Sequence, residues 1–465
     1  MLFSSLVFIC VFLPLLLFVY YTVPRSWRNN LLLAASLLFY AWGEVVLVWV
    51  MAASIVWNFF AALAIDRAQK DPARKFLLGI GIAVDLAALG YFKYMDFFIA
   101  NWNSLSGMEI PLRHVVLPIG ISFYTFQAIS YLVDVYRRDT AAEKSILNTG
   151  LYITFFPQLI AGPIVKFHEI SDQIRERQES MERFARGMQR FIEGLAKKVL
   201  IANVMAETAD TVFACDAGVL TFQDAWVGAL AYTMQIFFDF SGYSDMAIGL
   251  GDMFGFKIPE NFNYPYTAKT VTEFWRKWHI SLSSWFREYL YIPLGGSRNG
   301  MIRTLRNLLI IFAVTGFWHG AGWTFIVWGL WHGLFIVLER VAKLDKKEFP
   351  LPVKVVMHIY LLLAVIVGWV FFRAENFSGA WGMIRKMFDF SACGSRDDLP
   401  VSGIFVLMFA FALFFSSSLP RKIYDRFKNN RWGITIWRAI CCGLLFLVLL
   451  RLAGASYNPF IYFRF

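Results

Sequence analysis

Cysteine is scarce in this chain and irregularly placed: Cys10, Cys215, Cys393, Cys441 and Cys442 are all there are in 465 residues. An odd number without metal-ligand spacing is not a disulfide framework, so neither structural zinc nor redox chemistry is expected. Charge is scarce too, at 17% of residues, where a soluble domain carries about 25%. No G-x-S-x-G, phosphate-binding loop, H-E-x-x-H or dinucleotide fingerprint occurs, which removes the chemistries those motifs announce. Nor is there a fixed-period repeat, or a matched pair of interrupted apolar segments of the kind that marks inverted-repeat transporters.

What is abundant is apolar sequence, with 58% hydrophobic residues, 18% aromatic residues and a mean hydropathy of +0.54. Apolar segments recur from end to end without a long polar block, which predicts an all-α, polytopic transmembrane bundle and one membrane-embedded domain over 1–465. The net charge of +11 does not call for nucleic acid in so apolar a chain. Its cations mark cytosolic loops facing anionic lipid.

The predicted spans run Leu2 to Tyr21, Leu31 to Trp49, Val50 to Ile65, Phe76 to Ala100, Val115 to Tyr136, Val199 to Ala214 and Ala225 to Phe254, then Val355 to Phe372, Val401 to Ser418 and Ile434 to Leu452. Arg67 to Lys75, the pair Arg137 and Arg138, and the loops Arg340, Lys343, Lys346, Lys347, Lys354 and Arg421 to Arg431 are assigned to the cytosol, which leaves both termini periplasmic. Pro157, Gly162 and Pro163, and later Pro293, Gly295 and Gly296, predict broken or re-entrant helices. Lys166 to Lys198, rich in arginine, reads as an amphipathic stretch on the cytosolic surface.

Two regions place polar groups within apolar sequence. In FFDFSGYSDMAIGLG, Asp239 and Tyr243, and Ser241 and Asp245, stand four residues apart on a helix. Carboxylates there must be paired, hydrated or neutral; either an interhelical hydrogen-bond network or a direct role toward substrate fits. In TEFWRKWHISLSSWFREYL, one helix would put His279, Ser283 and Arg287 on a single face and pair Glu273 with Lys277. Trp275, Trp278 and Trp285 would form an interfacial belt, while Arg276 and Lys277 would meet lipid headgroups or nucleotide phosphates. His319 and Trp318 lie in GFWHGAGW, where glycines permit close helix packing or the lining of a cavity. A histidine there suits proton transfer near neutral pH, although a plain packing role fits a single intramembrane histidine as well. His332, thirteen residues on, would fall on nearly the opposite side of a helix running through both, so the two could act together only across a break at the glycines.

These segments, with the opening MLFSSLVFICVFLPLLLFVYY, LPIGISFYTFQAISYLVDVYR, FFPQLIAGPIVKF, ENFNYPY and FWHGAGWTFIVWGLWHG, resemble the membrane-bound O-acyltransferase family from Met1 to about Glu375. The resemblance implies a helical fold around a central tunnel, with His319 at the family's catalytic position and His279 at its second polar position. Asp239, Tyr243, Asp245, Trp275, Arg276, Ser283 and Trp318 are the further candidates for contact with substrate. It also implies acetyl-coenzyme A as a cytosolic donor, no bound cofactor or metal, a place in the bacterial inner membrane, and an esterase-like periplasmic partner that completes acetylation of an exported polysaccharide. Alginate is the first choice of polymer, cellulose the second and peptidoglycan the third. His319 would take the hydroxyl proton or form an acyl-imidazole, while His279 would orient the donor or stabilise its oxyanion. An exporter or scaffold without chemistry is the alternative from another class.

Overall fold

The computed structural model describes residues 1–344, 347–391, 393–394, 399–428, 430–454 and 457–461, and among them there is helix and no strand. Lys346, assigned above to a basic loop, lies outside them. The contacts divide the chain into two compact units, Met1–Phe191 with Met246–Pro259, and Ile192–Asp245 with Glu260–Phe465.

In the first unit, α1 (Phe8–Thr22) and α2 (Arg28–Ala41) are shorter than the spans expected there, since a straight crossing needs about 20 residues. The chain breaks over 42–47, not at Trp49, before α3 (Val48–Arg67). Next come α4 (Asp71–Ser106) and α5 (Ile121–Arg137). Every residue from Ile121 to Val135 of α5 is buried, so this helix is a core element rather than a lipid-facing one. Arg74, expected on a basic loop, is itself buried and donates to the carbonyls of Ile65, Val135 and Tyr136, serving the ends of α3 and α5.

The expected interruption near Pro157 is present. Helix α6 (Ile146–Thr154) stops before Phe155, and α7 (Phe156–Leu159) carries the proline in its first turn, where no hydrogen-bonding N–H is needed. The arginine-rich stretch gives α8 (Phe167–Arg175) and α9 (Met181–Ala196). Arg177 is no surface charge: its side chain is 8% exposed and donates to Tyr20, Asn29 and the Phe254 carbonyl.

No break marks the expected boundary between the surface stretch ending at Lys198 and the span beginning at Val199. Helix continues from α9 through a wider turn at Lys197–Ala202 into α10 (Asn203–Phe213). Helix α11 (Phe222–Met253) then has an unbroken buried stretch over 231–251. In the second unit, α12 (Val271–Trp275) and α13 (Ile280–Phe286) are short, and the chain turns over 292–299 before α14 (Met301–His319). The remaining helices are α15 (Trp323–Val341), α16 (Leu351–Arg373), α17 (Phe377–Met387), α18 (Gly403–Phe415), α19 (Leu419–Phe427) and α20 (Arg431–Gly454). Six helices, or seven if α18 and α19 form one bent span, are long and apolar enough to cross a membrane among the described residues.

Helices α14 and α15 are joined by a break at Gly320–Gly322 and pack closely along their lengths. Glycine makes this approach possible: a Cβ at Gly316 would lie 2.2 Å from the Phe325 carbonyl oxygen, and one at Gly329 would lie 2.2 Å from that of Phe312.

Candidate functional site

The helix expected to run unbroken through His279 is broken at His279. This residue sits between α12 and α13 with φ 44° and ψ 55°, a left-handed conformation that costs a side-chain-bearing residue roughly 1–2 kcal/mol. His279 and Asn261 are both fully buried. The Asn261 Oδ1 faces His279 Nδ1 at 3.2 Å and accepts from the Ser281 N–H at 3.2 Å and the Ser281 hydroxyl at 2.8 Å. The backbone closes the same knot, with Ile280 N–H donating to the Asn261 carbonyl and Asn263 N–H to that of Lys277. An amide oxygen only accepts, so this contact requires the proton on Nδ1 and leaves Nε2 as the lone-pair nitrogen. Among the described residues Nε2 has no hydrogen-bond partner.

His319 ends α14 and is 6% exposed. Its ring stands 4.9 Å from Trp318, 5.1 Å from Trp328 and 5.2 Å from Phe372, centroid to centroid. Trp318 is in turn 6.4 Å from His279, so one indole lies against both imidazoles. The break between α14 and α15 brings His332 into the same cluster, against Trp275 and Trp328 at 5.4 Å each. Two histidines that a continuous helix would hold on opposite sides thus share the wall formed by Trp328.

The other sequence candidates divide. Trp275, Trp278 and Trp285 are buried at 7%, 3% and 6% exposure and so form no interfacial belt; Trp275 and Trp278 are core residues of this cluster, while Trp285 packs on Phe286 and Tyr289. The Ser283 hydroxyl bonds the Trp275 carbonyl at 3.4 Å, tying α13 to α12. Arg276 is exposed and lines a cavity of about 650 Å³ with Lys269, Lys347 and Lys354 and with the carboxylates Glu273 and Glu348. Beside it the expected Glu273–Lys277 pair is made at 2.8 Å. Partial burial works against ionisation of Glu273, but the bonds from Lys277 and the Lys269 N–H hold it below the usual carboxylate range.

Asp239 and Asp245 take lysine partners rather than the neighbours expected four residues away. Lys198 Nζ meets Asp239 Oδ1 at 2.8 Å, both side chains being almost wholly buried, and Lys197 Nζ meets Asp245 Oδ2 at 2.5 Å. The second Asp239 oxygen accepts from the Ile461 N–H, and Tyr243 stacks on Phe460 at 5.0 Å. Lys198 also reaches the Asn203 amide and the Pro459 carbonyl. These charges therefore join α10, α11 and the 457–461 segment, a network that balances buried charge.

Sequence reasoning did not single out Asn261, Lys198 or Trp328. Asn261 was visible only as part of ENFNYPY, and the pair Lys197 and Lys198 was read as the end of a surface stretch, although the apolar run VLIANVM that follows at once signals burial.

The fold and this cluster define a polytopic helical membrane protein with buried histidines enclosed by tryptophan. The model of MBOAT, the membrane-bound O-acyltransferase family, matches residues 37–372, and the chain belongs to that family. It is 42% identical to the probable alginate O-acetylase AlgI of Pseudomonas putida, with both chains covered in full. It is 39% identical to the peptidoglycan O-acetyltransferase of Helicobacter pylori, over 83% of this chain and 80% of that one. The teichoic acid D-alanyltransferase of Bacillus subtilis is 29% identical over 51% of this chain and 63% of its own. The protein is accordingly a membrane-bound O-acyltransferase that transfers acetyl groups.

Proposed function

We propose that this enzyme takes acetyl groups from acetyl-coenzyme A at the cytosolic face of the bacterial inner membrane and passes them across it for O-acetylation of an exported polysaccharide. The observation that carries the reading is the burial of His319 and His279 against one shared indole, Trp318, in a chain similar over its full length to an alginate O-acetylase. As an acceptor hydroxyl adds to the thioester carbonyl, His319 takes its proton. Collapse of the tetrahedral intermediate breaks the C–S bond and returns the proton to the thiolate, a contribution of roughly a hundred- to ten-thousand-fold. Attack by the imidazole itself, giving an acyl-histidine, is the competing route. The lone pair on His279 Nε2 suits it to hold a hydroxyl in line rather than to donate to an oxyanion.

Asp239, Tyr243 and Asp245 then act as supports of the site, Trp275, Trp318 and Ser283 as its walls, and Arg276 as part of a cationic cavity suited to phosphate groups. Alginate is the polymer we favour. Peptidoglycan is the second reading, because 42% and 39% identity to the two kinds of relative differ too little to select an acceptor. An esterase-like periplasmic partner makes that selection and completes the transfer. The test is incubation of the purified protein with radiolabelled acetyl-coenzyme A, with and without that partner. Label reaching partner or polymer only when the enzyme is present supports the reading, and a donor left intact contradicts it.

A further inference from the structure

Three rings of the aromatic cluster touch pairwise: Trp275 and Trp328 at 5.7 Å, Trp275 and His332 at 5.4 Å, and Trp328 and His332 at 5.4 Å between centroids. Their exposures are 7%, 1% and 0%. Yet the Nε1 atoms of Trp275 and Trp328 and both ring nitrogens of His332 make no hydrogen bond to any described residue. Folded interiors satisfy nearly all such atoms, so four orphans on three touching rings call for a polar ligand. The donor count says which kind. An indole N–H only donates, and an uncharged imidazole offers one donor and one acceptor. The triangle thus presents three donors against one acceptor, which suits an acceptor oxygen and offers nothing to a hydrocarbon.

Two further observations fix its place. Trp328 packs against His319 at 5.1 Å, so the triangle and the imidazole share a wall. A Cβ at Gly368 would stand 2.7 Å from His332 Nε2, so the imidazole edge lies close against the glycine of α16, and only a residue without a side chain leaves room for the ring there. Acyl transfer needs a donor for the oxyanion, and the Nδ1–H tautomer of His279 leaves its Nε2 with no proton to donate.

We propose that Trp328 and Trp275 are catalytic residues whose indole N–H groups bind the carbonyl oxygen of the acetyl group in transfer, with His332 completing the socket. This rests on the acyl-transfer reading above. When the hydroxyl oxygen adds to the carbonyl carbon, the C=O electron pair moves onto this oxygen and the two indoles stabilise the charge. His319 holds the hydroxyl proton meanwhile. When the C–S bond breaks, the pair returns to re-form C=O and the proton passes to the thiolate sulfur.

The experiment replaces Trp328 with benzothienylalanine, which keeps the bicyclic shape and lacks the N–H, in the full-length protein by amber suppression, with Trp328→Phe beside it. Turnover of labelled acetyl-coenzyme A with partner present is compared with that of the wild type and of His319→Ala. The socket predicts a kcat lower by about a hundredfold, the scale of one lost oxyanion donor, with KM within about twofold and the melting temperature unchanged. A second readout uses carbonyl-¹³C acetyl-coenzyme A bound to His319→Ala protein: its C=O stretch should be lowered with Trp328 present and should move back toward the solution value with benzothienylalanine. Wild-type kcat in the benzothienylalanine protein, with His319→Ala inactive, overturns the socket alone and leaves the triangle a water site. Full activity in His319→Ala, or no turnover of acetyl-coenzyme A by the wild type, overturns the acyl-transfer reading at this site and the socket with it.

Discussion

Asn261 Oδ1 stands 3.2 Å from His279 Nδ1, and this one contact both decides the imidazole tautomer and holds a left-handed backbone that histidine does not favour. The same oxygen takes two donors from Ser281, so it links the turn between α12 and α13 to the ring that the turn presents.

Asn261→Ala removes that acceptor and leaves buried donors without a partner, at about 1–3 kcal/mol. The expected result is a lower melting temperature in detergent and, at equal protein abundance, turnover reduced by up to about a hundredfold, the scale of a misplaced reacting group. Asn261→Asp keeps an acceptor oxygen and should recover part of the turnover. Equal activity in Asn261→Ala and wild type would mean that the orientation of His279 is of no consequence.

Asp239 and Asp245 differ in what their loss should do. Lys198 is buried beside Asp239, so Asp239→Asn strands a charge, and we expect about 3–5 kcal/mol of destabilisation, read as poor membrane accumulation. Replacing both partners by Leu and Met should accumulate better than either single variant. The Lys197 side chain is 30% exposed and can turn to water, so Asp245→Asn should cost about 1 kcal/mol or less. An Asp239→Asn protein of normal abundance without activity would place that carboxylate in the chemistry.

Gly329→Val should separate α14 from α15, since even a Cβ there meets the Phe312 carbonyl at 2.2 Å. A loss of about 1–3 kcal/mol is expected. Because His319 at the end of α14 packs on Trp328 of α15, turnover should fall with stability. Unchanged melting and turnover would show that the two helices need not approach so closely.

Much of the fold was legible because hydropathy and basic loops report membrane segments directly. Breaks were legible where Pro or Gly caused them, as at Pro157 and over 292–299, whereas a break at Gly320–Gly322 was only the condition for His319 and His332 to meet. The break at His279 was not, because a left-handed histidine has no local signature and is held by Asn261, eighteen residues earlier in the chain. His279, His319 and Trp318 were readable as a group from the motifs. The lysine partners of Asp239 and Asp245 were not, since four-residue spacing suggests neighbours on one helix while the charges were met from another element. Trp275 and Trp285 showed the same ambiguity: aromatic residues near cations suit either a membrane boundary or a core, and only packing distinguishes the two.

In the proposed reaction His319 carries the proton transfer on which acetylation depends. With His319→Ala and wild type adjusted to equal membrane abundance, transfer of acetyl to the exported polymer should fall by roughly a hundred- to ten-thousand-fold while the protein remains folded, because the only imidazole at the end of α14 has been removed. Acetylation of the polymer by His319→Ala at the wild-type rate would contradict that role.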